Sequence, residues 1–217
     1  MPRIALIHAT PAAVEPIRKA FSDTWPEPDL VNLLDDSLSR DRALTPELPN
    51  AIYGRFDALG AYSVAIGADG ILFTCSAFGP AIERVANAVS IPVLKPNEAM
   101  FAEAIAIGGR IGMLATFEPS IASMEAEFEA DAAKAGASVT LESVYVPDAM
   151  PALVGGNRDR HDSLVAEAAP ALAHCTAIML AQFSMAPAAA KLRQRLPSVP
   201  VLTSPGSAVT AMKRRIS

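Results

Sequence analysis

Gly70-Ile71-Leu72-Phe73-Thr74-Cys75-Ser76-Ala77 is an apolar run that closes on a thiol between two hydroxyls, and the chain repeats it with an amide in the thiol's place. Ile71 to Cys75, followed by Pro80, matches Ile178-Met179-Leu180-Ala181-Gln182, followed by Pro187. Cys75 therefore corresponds to Gln182 at a separation of 182 − 75 = 107. Further on, Ser90-Ile91-Pro92-Val93-Leu94 matches Ser198-Val199-Pro200-Val201-Leu202, with one residue inserted between the two blocks. Two matches in the same order, each spanning a helix-like stretch, mark a duplication into two similar α/β halves.

Outward from this repeat, short apolar runs alternate with helical periodicity. Strands are predicted at residues 3–7, 30–34, 70–74 and 92–94, and again at 111–115, 138–146, 177–182 and 200–202. Most are continuous Val/Ile/Leu runs, the pattern of strands covered on both faces. Ile82, Val85 and Val89 recur at helical spacing between them, as do Ile121, Met124 and Phe128, and Leu192 with Leu196. Strand and helix in repeated alternation mean parallel sheets. The expectation is an α/β chain of two pseudo-symmetric open parallel-sheet lobes with helices on both faces. Residues 1–95 plus 205–217 form the first lobe and 96–204 the second, a C-terminal helix near Ser207 to Arg215 crossing back to the first. Clustered Pro, Gly, Asn and charged residues predict long loops from Ser37 to Pro49 and from Pro147 to Arg160.

With 217 residues, 51% hydrophobic, 19% charged and a net charge of −5, the chain is globular rather than disordered. No basic cluster or arginine-rich aromatic stretch suggests nucleic acid, Lys213-Arg214-Arg215 being short and terminal. The opening run Met1 to Ile7 is too short for a secretion signal, and no segment approaches the ~20 apolar residues of a membrane span. A cytoplasmic protein with two reduced cysteines is expected.

In open parallel sheets a ligand lies beyond the carboxyl ends of the strands, beside helix N-termini whose N–H groups favour anions. The strand ends here carry Thr10, Thr74, Cys75, Ser76, Thr116, Ser184 and Thr203-Ser204. Two such halves facing each other make a cleft of N–H and O–H donors, without metal ligands, that suits a small carboxylate. Each hydroxyl taken singly also fits a helix N-cap. Cys75 fits a small core residue, but its place after a strand and before a helix favours function. Cys175 is out of register and reads as structural, with no disulfide expected. His8 follows the first strand, and substrate contact and a hydrogen-bonded structural role both remain open. His161-Asp162 reads as an exposed helix-start pair, with a general base as the alternative. Asp35 and Asp36 suit turns or caps, since they would repel an anion, and Met100, Met113, Met124 and Met179 suit core filling.

These residues resemble the aspartate/glutamate racemase superfamily, which includes glutamate, aspartate, hydantoin and allantoin racemases, maleate isomerase and arylmalonate decarboxylase. Asp69 to Ser76 is similar to the first cysteine loop, Ser90 to Ala99 to the following strand and the helix start at Glu98, and Ile111 to Thr116 to the strand opening the second half. The resemblance implies two pseudo-symmetric lobes with the active site between them, no cofactor, and two cysteines acting on opposite faces of a carbon acid. Homodimers are common among such families, so a homodimer or higher homo-oligomer is expected. Leu180 to Ala186 aligns with the second cysteine loop, which puts Gln182 in the cysteine's place and Ser184 where glutamate racemases keep a histidine.

Inverting a stereocentre through a planar carbanion requires acid/base groups on both faces. A thiol near helix N-terminal N–H groups is expected to have a lowered pKa and supply a thiolate. An amide cannot exchange a proton, but Gln182 can donate hydrogen bonds to a carboxylate or enolate; Ser184 relays a proton only if another base activates it. The reading is a cofactor-independent racemase/isomerase-like enzyme acting on a small carboxylate through Cys75. Gln182 and Ser184 stand on the second side, and His8, Thr10, Thr74, Ser76 and Thr116 bind substrate. The alternatives are a single-cysteine decarboxylase or lyase, or a small-carboxylate binding protein without turnover.

Overall fold

In the computed structural model, which describes residues 1–45 and 47–216, the apolar runs become the interior strands of two four-stranded parallel sheets. Ile4, Ala5, Leu6 and Ile7 are at most 2% exposed, because helices cover both faces of the strand they form. The chain divides into two compact units, Met1–Glu98 with the segment from Pro205, and Ala99–Ser204.

The first unit runs β1 (Arg3–His8), α1 (Val14–Thr24), β2 (Asp29–Leu34), α2 (Ser37–Ala43), α3 (Asn50–Ala65), β3 (Gly70–Phe73), α4 (Gly79–Ala88) and β4 (Val93–Leu94). Its sheet order is β2-β1-β3-β4. The second unit follows with α5 (Glu98–Ile107), β5 (Gly109–Ala115), α6 (Ile121–Lys134), β6 (Val139–Tyr145), α7 (Ala149–Val154), α8 (Arg158–Ala168), β7 (Ala177–Leu180), α9 (Ala189–Arg195) and β8 (Val201–Thr203), in the order β6-β5-β7-β8. The last helix, α10 (Ser204–Ile216), belongs from Pro205 onward to the first unit.

The duplication extends to hydrogen-bond register. Ile4 pairs with Gly70 and Ile111 with Ala177, so both central strand pairs have the same offset (70 − 4 = 177 − 111 = 66). Thr74 N–H donates to the Ile7 carbonyl at 3.0 Å, and its counterpart Ala181 N–H donates to Leu114 at 2.9 Å. The outer pairs, Ile71 with Val93 and Ile178 with Val201, place the extra residue of the second half before β8.

Close approach of α10 to β3 requires Gly70: a Cβ there would lie 2.8 Å from Met212 Sδ and 2.9 Å from Ile216 Cδ1. Arg215 extends this contact, donating to the Val93 carbonyl at 3.3 Å and pairing with Glu98. The methionines 100, 113, 124 and 179 are fully buried, as core filling requires.

Both predicted long loops contain helices. Asp35 accepts from the Ser37 backbone N–H (3.2 Å) and hydroxyl (2.8 Å), a turn that launches α2 with Leu38 fully buried. In the later segment α7 buries Ala149 and Leu153, and the Asn157 side chain accepts from Arg160 N–H at 3.0 Å to start α8. Each short helix has only one or two apolar anchors, which the surrounding turn-forming residues mask. Among the described residues no helix is long and apolar enough to cross a membrane.

Candidate functional site

The strand order of the first unit reverses between β1 and β3, and a ligand crevice forms at the carboxyl ends of such a pair. Cys75 lies there. Its backbone is extended (φ −126°, ψ 123°), and it opens a 3₁₀ turn, Ser76–Phe78, that leads into α4. Phe56 of α3 grips this loop from both sides, with ring centroids 5.2 Å from Phe73 and 5.0 Å from Phe78. Ser76 is 5% exposed, and its buried hydroxyl has no hydrogen-bond partner among the described residues.

Cys75 is half-buried. Burial pushes its thiol up from 9.0 to about 11, against the Ala77 backbone N–H, the Ser39 hydroxyl and the Arg42 guanidinium, which favour the thiolate. The donors expected from a helix start are therefore present, and desolvation outweighs them. The single Ser39 proton also has a competing acceptor, the Ala9 carbonyl at 2.8 Å.

Sequence reasoning missed Ser39 and Arg42, both on α2. Arg42 is only 8% exposed and donates from Nε to the Ala77 carbonyl at 3.3 Å and from Nη1 to the Thr45 carbonyl. Arg55 of α3 holds α2 in place, donating to Asp35 (Nε, 2.9 Å), Asp41 (2.5 Å) and the Ser37 hydroxyl. Burial raises the Asp35 pKa, but the hydrogen bonds from Arg55 and Ser37 prevail and hold it below its usual value. The turn signal Asp35-x-Ser37 was the one local clue to this helix.

His8, at the end of β1, is fully buried and joins three strands. Its Nε2 lies 3.0 Å from Asn32 Oδ1 on β2, and its Nδ1 lies 2.9 Å from the Thr74 hydroxyl after β3. The carbonyl oxygen of Asn32 only accepts, so Nε2 carries the proton and Nδ1 is left as an acceptor facing the Thr74 hydroxyl, whose one proton also has the Ile7 carbonyl at 3.3 Å. Desolvation lowers the His8 pKa, partly offset by Asn32, and favours this neutral ring. Both ring nitrogens are thus engaged by the sheet. Thr10 caps the next 3₁₀ turn, accepting from Ala12 N–H at 3.4 Å.

In the second unit Gln182 occupies the position after β7 that Cys75 holds after β3. Its Oε1 accepts from Thr116 N–H (2.9 Å) and the Thr116 hydroxyl (3.2 Å), while Nε2 donates to Ser120 Oγ (2.9 Å). Three of its four hydrogen-bonding positions are filled internally, leaving one N–H. Ser184 is buried, and its carbonyl accepts from Arg158 Nη1 at 3.2 Å. His161 and Asp162 are not the exposed pair expected: His161 is fully buried, with Nδ1 2.6 Å from Asp162 Oδ1, because α8 turns this face inward.

The profile of the Asp/Glu/Hydantoin racemase family matches residues 8–212. The chain belongs to this family. Membership makes it a racemase- or isomerase-like enzyme of the Asp/Glu racemase type, and the family resemblance of the sequence holds. No curated protein matches it by sequence. Among solved structures, the allantoin racemase of Klebsiella pneumoniae is similar with a TM-score of 0.74 at 18% identity, covering 99% of this chain and 87% of that one. Glutamate racemase RacE1 of Bacillus anthracis gives a TM-score of 0.80 at 13% identity, covering 98% and 80%. A Gly74Cys mutant of arylmalonate decarboxylase gives 0.67 at 16% identity, covering 99% and 93%. At these identities the likeness shows a shared fold.

Proposed function

We propose that this racemase-family chain is a cofactor-independent enzyme acting on a small carboxylate. Cys75 transfers a proton at the carbon next to the carboxyl group or attacks it as a thiolate. The observation that carries this reading is the position of the thiol, at the carboxyl end of a central strand and beside the N–H groups that open the turn into α4. The unpartnered Ser76 hydroxyl is the group available beside it for a carboxylate oxygen. His8 and Thr74 set the strand ends that frame this position, and Thr10 shapes the loop after β1. In the second unit Thr116 orients Gln182, whose remaining N–H, with the Ser184 hydroxyl, is available to polarise substrate.

A second reading is favoured by the protonation of the thiol. With a pKa of about 11, removing its proton at pH 7 costs about 5 kcal/mol, and Gln182 offers no second base. A protonated thiol is suited to giving a proton. In a decarboxylase, the electron pair of the breaking C–C bond passes to the α-carbon as carbon dioxide leaves. Cys75 then protonates the resulting enolate, and solvent reprotonates the thiolate.

Incubation in deuterium oxide with amino acids, hydantoins, malonates and maleate separates the readings. α-Deuterium in recovered substrate supports the racemase, and carbon dioxide release with deuterium delivered to one face supports the decarboxylase. Binding without exchange, isomerisation or gas release would instead indicate a carboxylate-binding protein.

A further inference from the structure

We propose that Glu142, His174 and Cys175 form a binding site for a borderline-soft divalent metal ion such as Zn²⁺. The three ligand atoms lie within 4.8 Å of one another, and His174 Nε2 is 2.9 Å from Glu142 Oε2. Around a tetrahedral zinc ion, the usual bond lengths place two ligand atoms about 3.4–3.6 Å apart. Closing the cluster therefore needs side-chain shifts of about an ångström. One thiolate, one imidazole and one carboxylate suit zinc rather than magnesium or calcium, and they leave a fourth position for water.

The backbone is built to bring these residues together. Glu142 of β6 pairs with Gly112 of β5, where an added Cβ would meet Leu172 at 2.9 Å (Cδ1) and 3.1 Å (Cβ). The bare glycine lets the 3₁₀ turn Ala169–Leu172 press onto the sheet, and the residues after it carry His174 and Cys175 to Glu142. Cys175 N–H donates to the Leu172 carbonyl at 2.9 Å, and Thr176 N–H donates to Arg110 at 2.7 Å, so the chain is fixed on both sides of the sulfur. His174 is exposed, which gives an ion an entry path, whereas Cys175 is 5% exposed.

Burial and the Glu142 charge raise the Cys175 pKa, and Arg110 lowers it. Binding releases the thiol proton to solvent, and the ring nitrogen of His174 that ligates the ion must be free of a proton. Two ligand charges then face the ion and the Arg110 cation. The site lies at the entry to β7, about 20 Å along the strand from Gln182 at its exit.

Cobalt(II) titration of the intact 217-residue chain, freed of metal with a chelator, tests this assignment. One ion per chain should bind with a sulfur-to-cobalt charge-transfer band and be displaced by Zn²⁺. Cys175→Ser should abolish the band, and Glu142→Gln, on a partly exposed strand, should weaken zinc binding roughly tenfold or more. Cys75→Ala should leave both unchanged, and zinc should protect Cys175, not Cys75, from iodoacetamide. Circular dichroism verifies the fold of each variant. No binding to the intact chain, a band that survives Cys175→Ser, or a band lost in Cys75→Ala would overturn the proposal.

Discussion

Raising the pH from 7 to 11 should titrate the Cys75 thiol without a plateau near the ordinary thiol range. With a pKa of about 11 instead of 9.0, its thiolate fraction at pH 7 is about 1 in 10⁴, against about 1 in 10² for an unperturbed thiol. Carbamidomethylation by iodoacetamide should therefore be about 100-fold slower than for that thiol at pH 7, rising about tenfold per pH unit until close to 11. Peptide mapping by mass spectrometry resolves Cys75 from Cys175 in the same sample. Ser39→Ala removes a group that favours the thiolate and should slow the reaction further. The same titration bears on mechanism: a reaction needing the free thiolate gains kcat/KM about tenfold per unit, whereas one using the thiol as acid is flat across this range. A rate plateau below pH 9, or alkylation at neutrality faster than a free thiol, would refute the claim that desolvation outweighs the surrounding donors.

Phe56→Ala should cost about 3–5 kcal/mol in urea unfolding and speed Cys75 alkylation, since the ring clamps both Phe73 and Phe78. Arg55→Met should move acid unfolding to higher pH: Asp35 stabilises the fold above its ordinary pKa of 3.8 and loses that contribution as pH falls through its lower folded value. Without Arg55, burial of the carboxylate acts with less opposition. His8 also has a lowered folded pKa, so its contribution is present above pH 6.5 and lost as pH falls toward the folded value. A His8→Gln variant should lack that part of the slope in stability against pH, measured by denaturant midpoints from pH 7 downward.

The duplication was readable because β1/β3 and β5/β7 keep one register, and a period-107 match in the chain is the trace of that constraint. The place of Cys75 followed from the same strand-to-helix pattern. Its protonation state did not, because desolvation depends on the packed surroundings of the sulfur, which the strand-to-helix pattern does not display. Ser39 and Arg42 were hidden for a related reason: α2 has one deeply buried apolar residue, Leu38, among hydroxyls and charges, and it is held by Arg55 from another helix. His8 was open to two roles in the chain, and Asn32 and Thr74 engage both its ring nitrogens. Cys175 was judged alone, whereas folding brings Glu142 of β6 beside it and its chain neighbour His174.

The most direct test of Cys75 chemistry is turnover by the intact chain and by Cys75→Ala, followed in deuterium oxide on whichever carboxylate of the panel reacts. The intact chain should place deuterium on the α-carbon, and the variant should lose that activity by at least about 100-fold while keeping its fold, the scale expected when a positioned acid or base is removed. Equal deuterium incorporation by the two proteins would contradict the account.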